Sequence, residues 1–425
     1  MAAKDHMTVF EHQALYSHKG DKRLSVDTLK ALQAFYGEKG VPYYSLVHQG
    51  VKFSEFVGVI QVGKTLIEIL PKADKSADGG EAKQNTWRNL LIGMLRAVGA
   101  FDIHSPSSSS LKLKSNSLLD LYFALFVKEV EYLLHQGLVK KYRKTEGNTT
   151  ALKGSLLFPK HLQQNITHQE RFYVRYTTYD VEHKMHFILY KALLLLKQIN
   201  TNTALNSSIG ALLLNFPEMP DIRVSEITFQ KLVYTRKTEP YRKAIEIARL
   251  LLLNYHPDLA KGRNHVLALL FDMNFLWEQF LYVTLKNGLR RSDPDVSITA
   301  QTSKNFWKPE TGSRSRMRPD IVINKGKPGC VVLDTKWKNL NGYNPSPEDL
   351  RQMYVYHEYF HAQRVALVYP GEVAQVKSGN YMDPERNEQV LTKECAVLTL
   401  PTARNENIKV WQEEINRDFS NWMFR

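Results

Sequence analysis

The sequence predicts an α/β fold, α+β overall, on three observations. The C-terminal part alternates helix-like and strand-like runs, residues 8 to about 72 look α/β with β-hairpin character, and Trp87 to about Leu253 is mainly helical in pattern. At 425 residues and 49.1 kDa the chain can bury a large core, and it divides on this reading into segments 1–95, 96–253 and 254–425.

The elements follow in order. Val26 to Phe35 is helix-like, and strands run from there through Leu70. Residues 73–86 are polar and rich in Asp, Lys and Gly, which predicts a flexible tip or a partner-facing finger. The helical middle is broken at Ser105 to Ser110 and at Lys140 to Lys153. A helix pattern from His265 to about Lys286 puts Glu278 on one face with Phe271, Asn274, Leu281 and Leu285. Ile321-Val322-Ile323 and Val331-Val332-Leu333 flank an Asn-Lys-Gly-Lys-Pro-Gly turn and predict a β-hairpin. Ser346 as N-cap and Pro347 at the first position open a further helix, with Asp349 near the capping-box position. That helix should end by about Ala362, because Arg364 to Tyr369 reads as a buried strand.

The hairpin carries the chemistry. Asp320 and Asp334 each lie seven positions from Lys327, so a symmetric hairpin sets their carboxylates side by side. Lys336, two positions after Asp334, projects from the same strand face. Mg²⁺ takes hard oxygen ligands and is usually held by one or two carboxylates plus substrate phosphate. Asp320 and Asp334 supply such carboxylates, and the Thr335 carbonyl is a third candidate ligand. Lys336 is placed to orient a water or to offset charge in a phosphoryl transition state. The plain alternative is a salt bridge at a strand end. Glu278, an acid on a largely apolar stripe, needs a partner, either a metal site or a buried Arg or Lys.

Between Lys304 and Lys338 the chain is basic: Lys304, Lys308, Arg314, Arg316, Arg318 and Lys338 flank the acids, with Phe306 and Trp307 among them. Cations beside a carboxylate pair suit a polyanion crossing a metal site; a solvated basic loop is the other reading. A second cluster, Lys140, Lys141, Arg143 and Lys144, reads as a DNA contact, a reach to a neighbouring nucleotide site, or a solvated face.

Two motif matches point elsewhere. Gly58 to Thr65 fits the P-loop expression, but its intervening residues are β-branched and Leu66 to Leu70 continues as strand, so Gly63-Lys64 is a hairpin turn. His357-Glu358-Tyr359-Phe360-His361 fits the zinc-peptidase motif, yet it falls in the last turn of its helix and has no evident third ligand. His183 and His186 lack ligand companions and read as core or surface residues.

The order helix (Glu278), basic stretch, strand (Asp320), strand (Asp334, Lys336), helix (Gln352), strand (364–369) resembles the core of the PD-(D/E)XK nuclease superfamily. With Asp272 to Phe280, Met317 to Ile321, Leu333 to Trp337, and the upstream runs Ile67 to Lys72, Leu152 to Leu156 and Tyr179-Asp180, the chain resembles the McrC family, nuclease subunits of modification-dependent McrBC restriction systems. The resemblance implies a C-terminal restriction-endonuclease-like core with helices around a central mixed sheet. It implies Asp320, Asp334 and Lys336 as the catalytic set, Glu278 as the helical acid at the metal, and Gln352 as a supporting residue. It further implies Mg²⁺, no nucleotide on this chain, and a partner-binding N-terminal segment docked on a McrB-like AAA+ GTPase hexamer. The implied substrate is double-stranded DNA with modified cytosine. A non-catalytic activator of such a ring, retaining a nuclease-like fold, is the rival, and a zinc peptidase the remote one.

Composition agrees. A net charge of +14 and a pI near 9.4 suit a polyanion. Only Cys330 and Cys395 occur, so no disulfide framework or Cys-based zinc site is expected. With no apolar run of membrane-spanning length and no signal-peptide core, a soluble cytoplasmic protein with no membrane partner is expected; residues 1–7 read as a vector scar.

Overall fold

The computed structural model of the chain describes residues 6–72, 81–99, 118–256, 265–338, 340, 342, 344–383, 390–402 and 407–424. Two compact units emerge: Met1–Ser108 together with Leu270–Arg425, and Ser109–Leu269. The expected segments 1–95, 96–253 and 254–425 differ from this division, because the N-terminal and C-terminal stretches share one core.

In the first unit the chain starts with β1 (His6–Phe10), β2 (Ala14–Tyr16), α1 (Val26–Tyr36), β3 (Tyr44–Val47), β4 (Gly50–Phe53), β5 (Phe56–Val62), β6 (Thr65–Leu70) and α2 (Glu81–Ala97). Ser25 starts α1 by accepting from the Thr28 N–H, a cap that satisfies one of the free donors of a first turn. β2, β4 and β3 form an antiparallel sheet. β5 and β6 form the hairpin expected in place of a P-loop, with Val62 opposite Thr65 and Gly63 at φ 54°, and β1 lies parallel to β6. Of the polar stretch expected as a loop, residues 73–80 lie outside the described residues. Residues 81–86 are helical, since α2 begins there.

The second unit comprises α3 (Leu118–Gln136), β7 (Lys141–Thr149), β8 (Ser155–Leu156), α4 (Phe158–Asn165), β9 (Phe172–Asp180), α5 (Lys184–Ile199), α6 (Thr203–Asn215), α7 (Glu226–Gln230), α8 (Arg242–Leu253) and β10 (Tyr255–His256). It is less helical than expected: β7 falls in the break predicted at Lys140 to Lys153, but β8 and β9, which complete an antiparallel sheet with it, lie where helix was expected. Those strands are largely half-exposed and polar, so no apolar alternation advertises them. Gly154 is required beside them, because its φ is 74° and a Cβ would stand 2.2 Å from the Arg175 carbonyl oxygen. The predicted break at 105–110 lies outside the described residues. Arg143 pairs with Glu182 at 2.6 Å and with Asp180 at 3.2 Å, which ties one member of the second basic cluster to acids. His186 is fully buried, bonded to the Val181 carbonyl and the Tyr241 hydroxyl, a core histidine as expected.

The chain passes from the second unit into the first along β11 (Val266–Asp272), followed by α9 (Met273–Ser292). The helix expected from His265 is therefore half strand. Val266 to Leu269 are buried on both faces, and Asp272 starts the helix by accepting from the N–H groups of Asn274 and Phe275. Then come β12 (Ile298–Ala300), β13 (Lys304–Trp307), β14 (Ser315–Met317), β15 (Ile321–Ile323), β16 (Val331–Thr335), α10 (Pro347–Phe360), β17 (Arg364–Gly371), β18 (Gln375–Met382), β19 (Val390–Pro401) and α11 (Ile408–Met423).

A six-stranded sheet in the order β12-β15-β16-β17-β19-β18 forms the core of this half, with β16, β17 and β19 parallel and the rest antiparallel. This is the mixed, helix-flanked sheet expected. Val322, Val332, Val365 and Leu367 pack against Met353, Tyr356 and Phe360 of α10. Trp277 and Phe280 of α9 stack on Trp411 of α11, and Gly288 allows the two helices their close approach, since a Cβ there would meet Asn416 at 2.0 Å. Among the described residues no helix is long and apolar enough to cross a membrane.

Candidate active site

The β15–β16 hairpin has the symmetric register read from the sequence: Ile321 opposes Leu333, Val322 opposes Val332 and Ile323 opposes Val331. Continuing one step brings Asp320 opposite Asp334. Left-handed conformations at Asn324, Gly326 and Gly329 close the turn. Asp320 Oδ2 accepts from the Thr335 N–H at 2.7 Å and from its hydroxyl at 2.9 Å. Thr335 thus orients Asp320 through donors that the sequence reading did not assign to it.

Asp334 is 2 % exposed. Its Oδ2 has the Lys336 ammonium at 2.7 Å, but no donor is aligned on it as a hydrogen bond. Its Oδ1 accepts from Gln352 Nε2 at 3.2 Å, and the same amide donates to the Tyr356 hydroxyl at 2.7 Å. Burial, then repulsion from Asp320, pushes the Asp334 carboxyl up to about 6, against the pull of Lys336. Asp320 is likewise raised by burial, with Glu278 adding repulsion and Thr335 opposing. Burial alone would depress Lys336, but Asp334, with Asp349 at 4.0 Å and Asp320 nearby, holds its ammonium charged above the ordinary lysine range.

Glu278 stands on the first half of α9 and is buried. Gln301 Nε2 donates to its Oε1, and burial raises its carboxyl, with Gln301 and the Arg318 guanidinium opposing and Asp334 adding repulsion. In place of the buried Arg or Lys expected as the plain partner, the amides of Gln301 and Gln279 donate to this acid, with Arg318 close by. Gln301 escaped the sequence reading. It adopts φ 52°, donates its N–H to the Asp320 carbonyl at 2.9 Å, and keeps a buried Oε1 without a hydrogen bond. A non-glycine residue in that region costs of order 1–3 kcal/mol and marks a place where surroundings over-determine the backbone. Nothing in a sequence signals a positive φ at glutamine.

Further support comes from residues distant in sequence. The Trp337 indole N–H donates to Glu11 Oε1 at 2.8 Å, and the Trp337 backbone N–H donates to Asn274 Oδ1 at 3.2 Å. Glu11, 3 % exposed, also accepts from the Lys72 N–H at 2.6 Å, and burial pushes its carboxyl up to about 7 despite both donors. The residue next to Lys336 is thus held by α9 and by the end of β1. Asp349, read only as part of a helix start, accepts from Lys338 at 2.9 Å.

The basic stretch is a two-stranded hairpin, β13–β14, rather than the loop expected, with exposed Lys308, Arg314, Arg316 and Arg318. Lys304 instead donates to the Tyr359 carbonyl and lies over the Phe360 ring, and Lys338 is paired with Asp349. The zinc-peptidase motif is dismantled. His357 is buried with both ring nitrogens on backbone carbonyls, of Ala362 and Glu394, while His361 terminates α10 in the left-handed region. Among the described residues no three His, Cys, Asp or Glu side chains gather as a metal cage. Two carboxylates with an unaligned buried oxygen are the donor set that Mg²⁺ uses when phosphate and water complete its shell.

Residues 51–370 match the family described as McrBC 5-methylcytosine restriction system component. The fold is similar to a chain of the half-complex from the tetradecameric assembly of Thermococcus gammatolerans McrB AAA+ hexamers with bound McrC, at TM-score 0.71 and 20 % identity, covering 98 % of this chain and 100 % of that one. A chain of the Thermococcus gammatolerans McrBC complex matches at TM-score 0.49 and 19 % identity, over 67 % of this chain and 88 % of that one. No curated protein matches.

Proposed function

The chain belongs to the McrBC 5-methylcytosine restriction system component family, and on that premise we propose that it is the Mg²⁺-dependent DNA endonuclease subunit, acting on DNA with modified cytosine. The observation that carries this reading is the hairpin that brings buried Asp334, Asp320 and the charged Lys336 to one strand end. The same reading gives it a McrB-like AAA+ GTPase hexamer as partner, whose GTP hydrolysis it stimulates, and no nucleotide of its own; its place is the cytoplasm. The partner rests on family membership, and a fold shared with a chain from an assembly of McrB hexamers with bound McrC supports it.

In this mechanism Asp320 and Asp334 would hold Mg²⁺ together with phosphate and water, with the Thr335 carbonyl as a further protein ligand. Glu278, which does not gather with the two aspartates into a cage of three acids, would support the water around the ion. The bound ion supplies charge neutralisation at the scissile phosphate and a more acidic water. Lys336, kept protonated by Asp334 and Asp349, would orient an attacking water and offset charge as the phosphodiester bond breaks. Gln352 fixes the Asp334 carboxylate, Thr335 fixes Asp320, and Gln301 spans Asp320 and Glu278. Arg314, Arg316, Arg318 and Lys308 provide the phosphate-tracking charge, with Lys304 and Lys338 at its margin. Lys336→Met tests the reading: cutting should be lost while binding of the GTPase partner persists. Undiminished cutting removes the lysine from the mechanism.

A further inference from the structure

Beside the carboxylates lies an open cleft of about 810 Å³, lined among others by Phe306, Met317 and Tyr356, by Arg316 and Arg318, and by Arg351, which is paired with the lining Glu348 at 3.3 Å. Gln301 and Gln352, which hold Glu278 and Asp334, also face it. The cleft therefore continues the candidate active site.

The β13–β14 hairpin supplies the aromatic wall by an irregularity. Lys304 opposes Met317 and Asn305 opposes Arg316, but Trp307 opposes Ser315, which leaves Phe306 as the extra residue of a bulge. Bulges re-aim side chains and recur next to active sites. Here the bulge presents two successive aromatics on a cationic arm: Phe306 is 49 % exposed and Trp307 59 % exposed. Phe306 packs against the Tyr359 ring in an edge-to-face arrangement, with ring centroids 5.5 Å apart. Exposed aromatic faces beside arginines are the chemistry that takes up unstacked bases, because every base offers a π-face and every nucleotide a phosphate. An intact duplex keeps its base faces covered.

We infer that this cleft binds a locally unpaired nucleotide of the strand being cut, its base stacked on Phe306, its phosphates on Arg316 and Arg318, and a neighbouring base on Trp307. The inference rests on the nuclease reading and adds to it that the substrate strand is opened at the site.

The test measures binding by the full chain without Mg²⁺, so that no cutting intervenes. The probe is 2-aminopurine, placed in a single-stranded oligonucleotide or in the matching duplex. Wild type should quench the single-stranded probe and bind it more tightly than the duplex. Phe306→Ala should lose the quench and bind single strands about ten-fold more weakly or worse, while Phe306→Tyr restores both. Arg316→Ala should weaken binding to every DNA and lower the salt slope by about 1. Phe306 is solvent-exposed on the arm, and unchanged thermal midpoints will show that the variants fold. Equal quenching and affinity for Phe306→Ala and wild type overturns the inference, as does a wild-type preference for duplex. A chain that quenches as expected but never cuts with its partner refutes the nuclease reading alone. A chain that cuts yet is indifferent to Phe306→Ala refutes this inference alone.

Discussion

Replacing Asp334 by Asn should abolish cutting and at the same time stabilise the protein. The carboxyl is 2 % exposed and is raised from 3.8 to about 6 by burial and by Asp320. At about 1.4 kcal/mol per unit, ionised Asp334 costs the folded state up to about 3 kcal/mol at neutral pH. The sign is opposite to that of a salt-bridged surface acid. A folded-state value above the unfolded one means the native protein binds more protons between pH 3.8 and 6, so stability falls as pH rises through that window. Asn, which cannot ionise, is free of this cost. The advantage of Asp334→Asn should be full at pH 8, fall to about half by pH 5 and fade below pH 3.8. Urea unfolding of both proteins at pH 8 and pH 5, followed by tryptophan fluorescence, reads the difference. Added Mg²⁺ should raise the wild-type midpoint at pH 8 and leave the Asn variant unmoved. An Asn variant that is less stable at pH 8, or whose gain is the same at both pH values, refutes the reasoning about the buried carboxylates.

Trp337→Phe keeps the ring but deletes the indole N–H to Glu11 Oε1. It should cost about 0.5–1.5 kcal/mol by removing one of the two donors on Glu11 Oε1, read as a lower urea midpoint, and should reduce cutting more than DNA binding. A variant unchanged in both shows that Glu11 does not hold the segment after Lys336. Lys64→Ala, in the β5–β6 turn, should leave GTP turnover by the complex dependent on the partner alone; GTP hydrolysis by the purified wild-type chain contradicts this. His361→Ala should leave DNA cutting unchanged, because His361 only ends α10; loss of cutting with the fold intact restores a role for that motif.

Legibility in the sequence followed the range of the interactions. The β15–β16 register was readable because two apolar triplets and the seven residues between them, centred on Lys327, leave one symmetric pairing, and that pairing places Asp320, Asp334 and Lys336. Gln352 was reachable through its helix and the family resemblance. Val266 to Asp272 was misread because a short, continuously apolar run fits a buried strand or a buried helix equally, and only the Asp272 cap separates them. β7, β9, β13 and β14 carry charged and polar side chains on exposed or half-exposed faces, so they lack the alternation that betrays a strand. The Glu11–Trp337 bond spans 326 positions, and the left-handed backbone of Gln301 is set by tertiary packing. Neither leaves a local trace. Both lie at the site, and the Glu11–Trp337 bond joins the N-terminal and C-terminal stretches within one unit.

The most direct measurement is cleavage of methylated DNA by wild type and by Asp334→Ala, each with the McrB-like GTPase, GTP and Mg²⁺, with GTP turnover read in the same reactions. The expected result is cutting by wild type alone and stimulated turnover with both. Cutting by Asp334→Ala at the wild-type rate, or stimulated turnover with no cutting by either, contradicts the assignment of this hairpin as the nuclease.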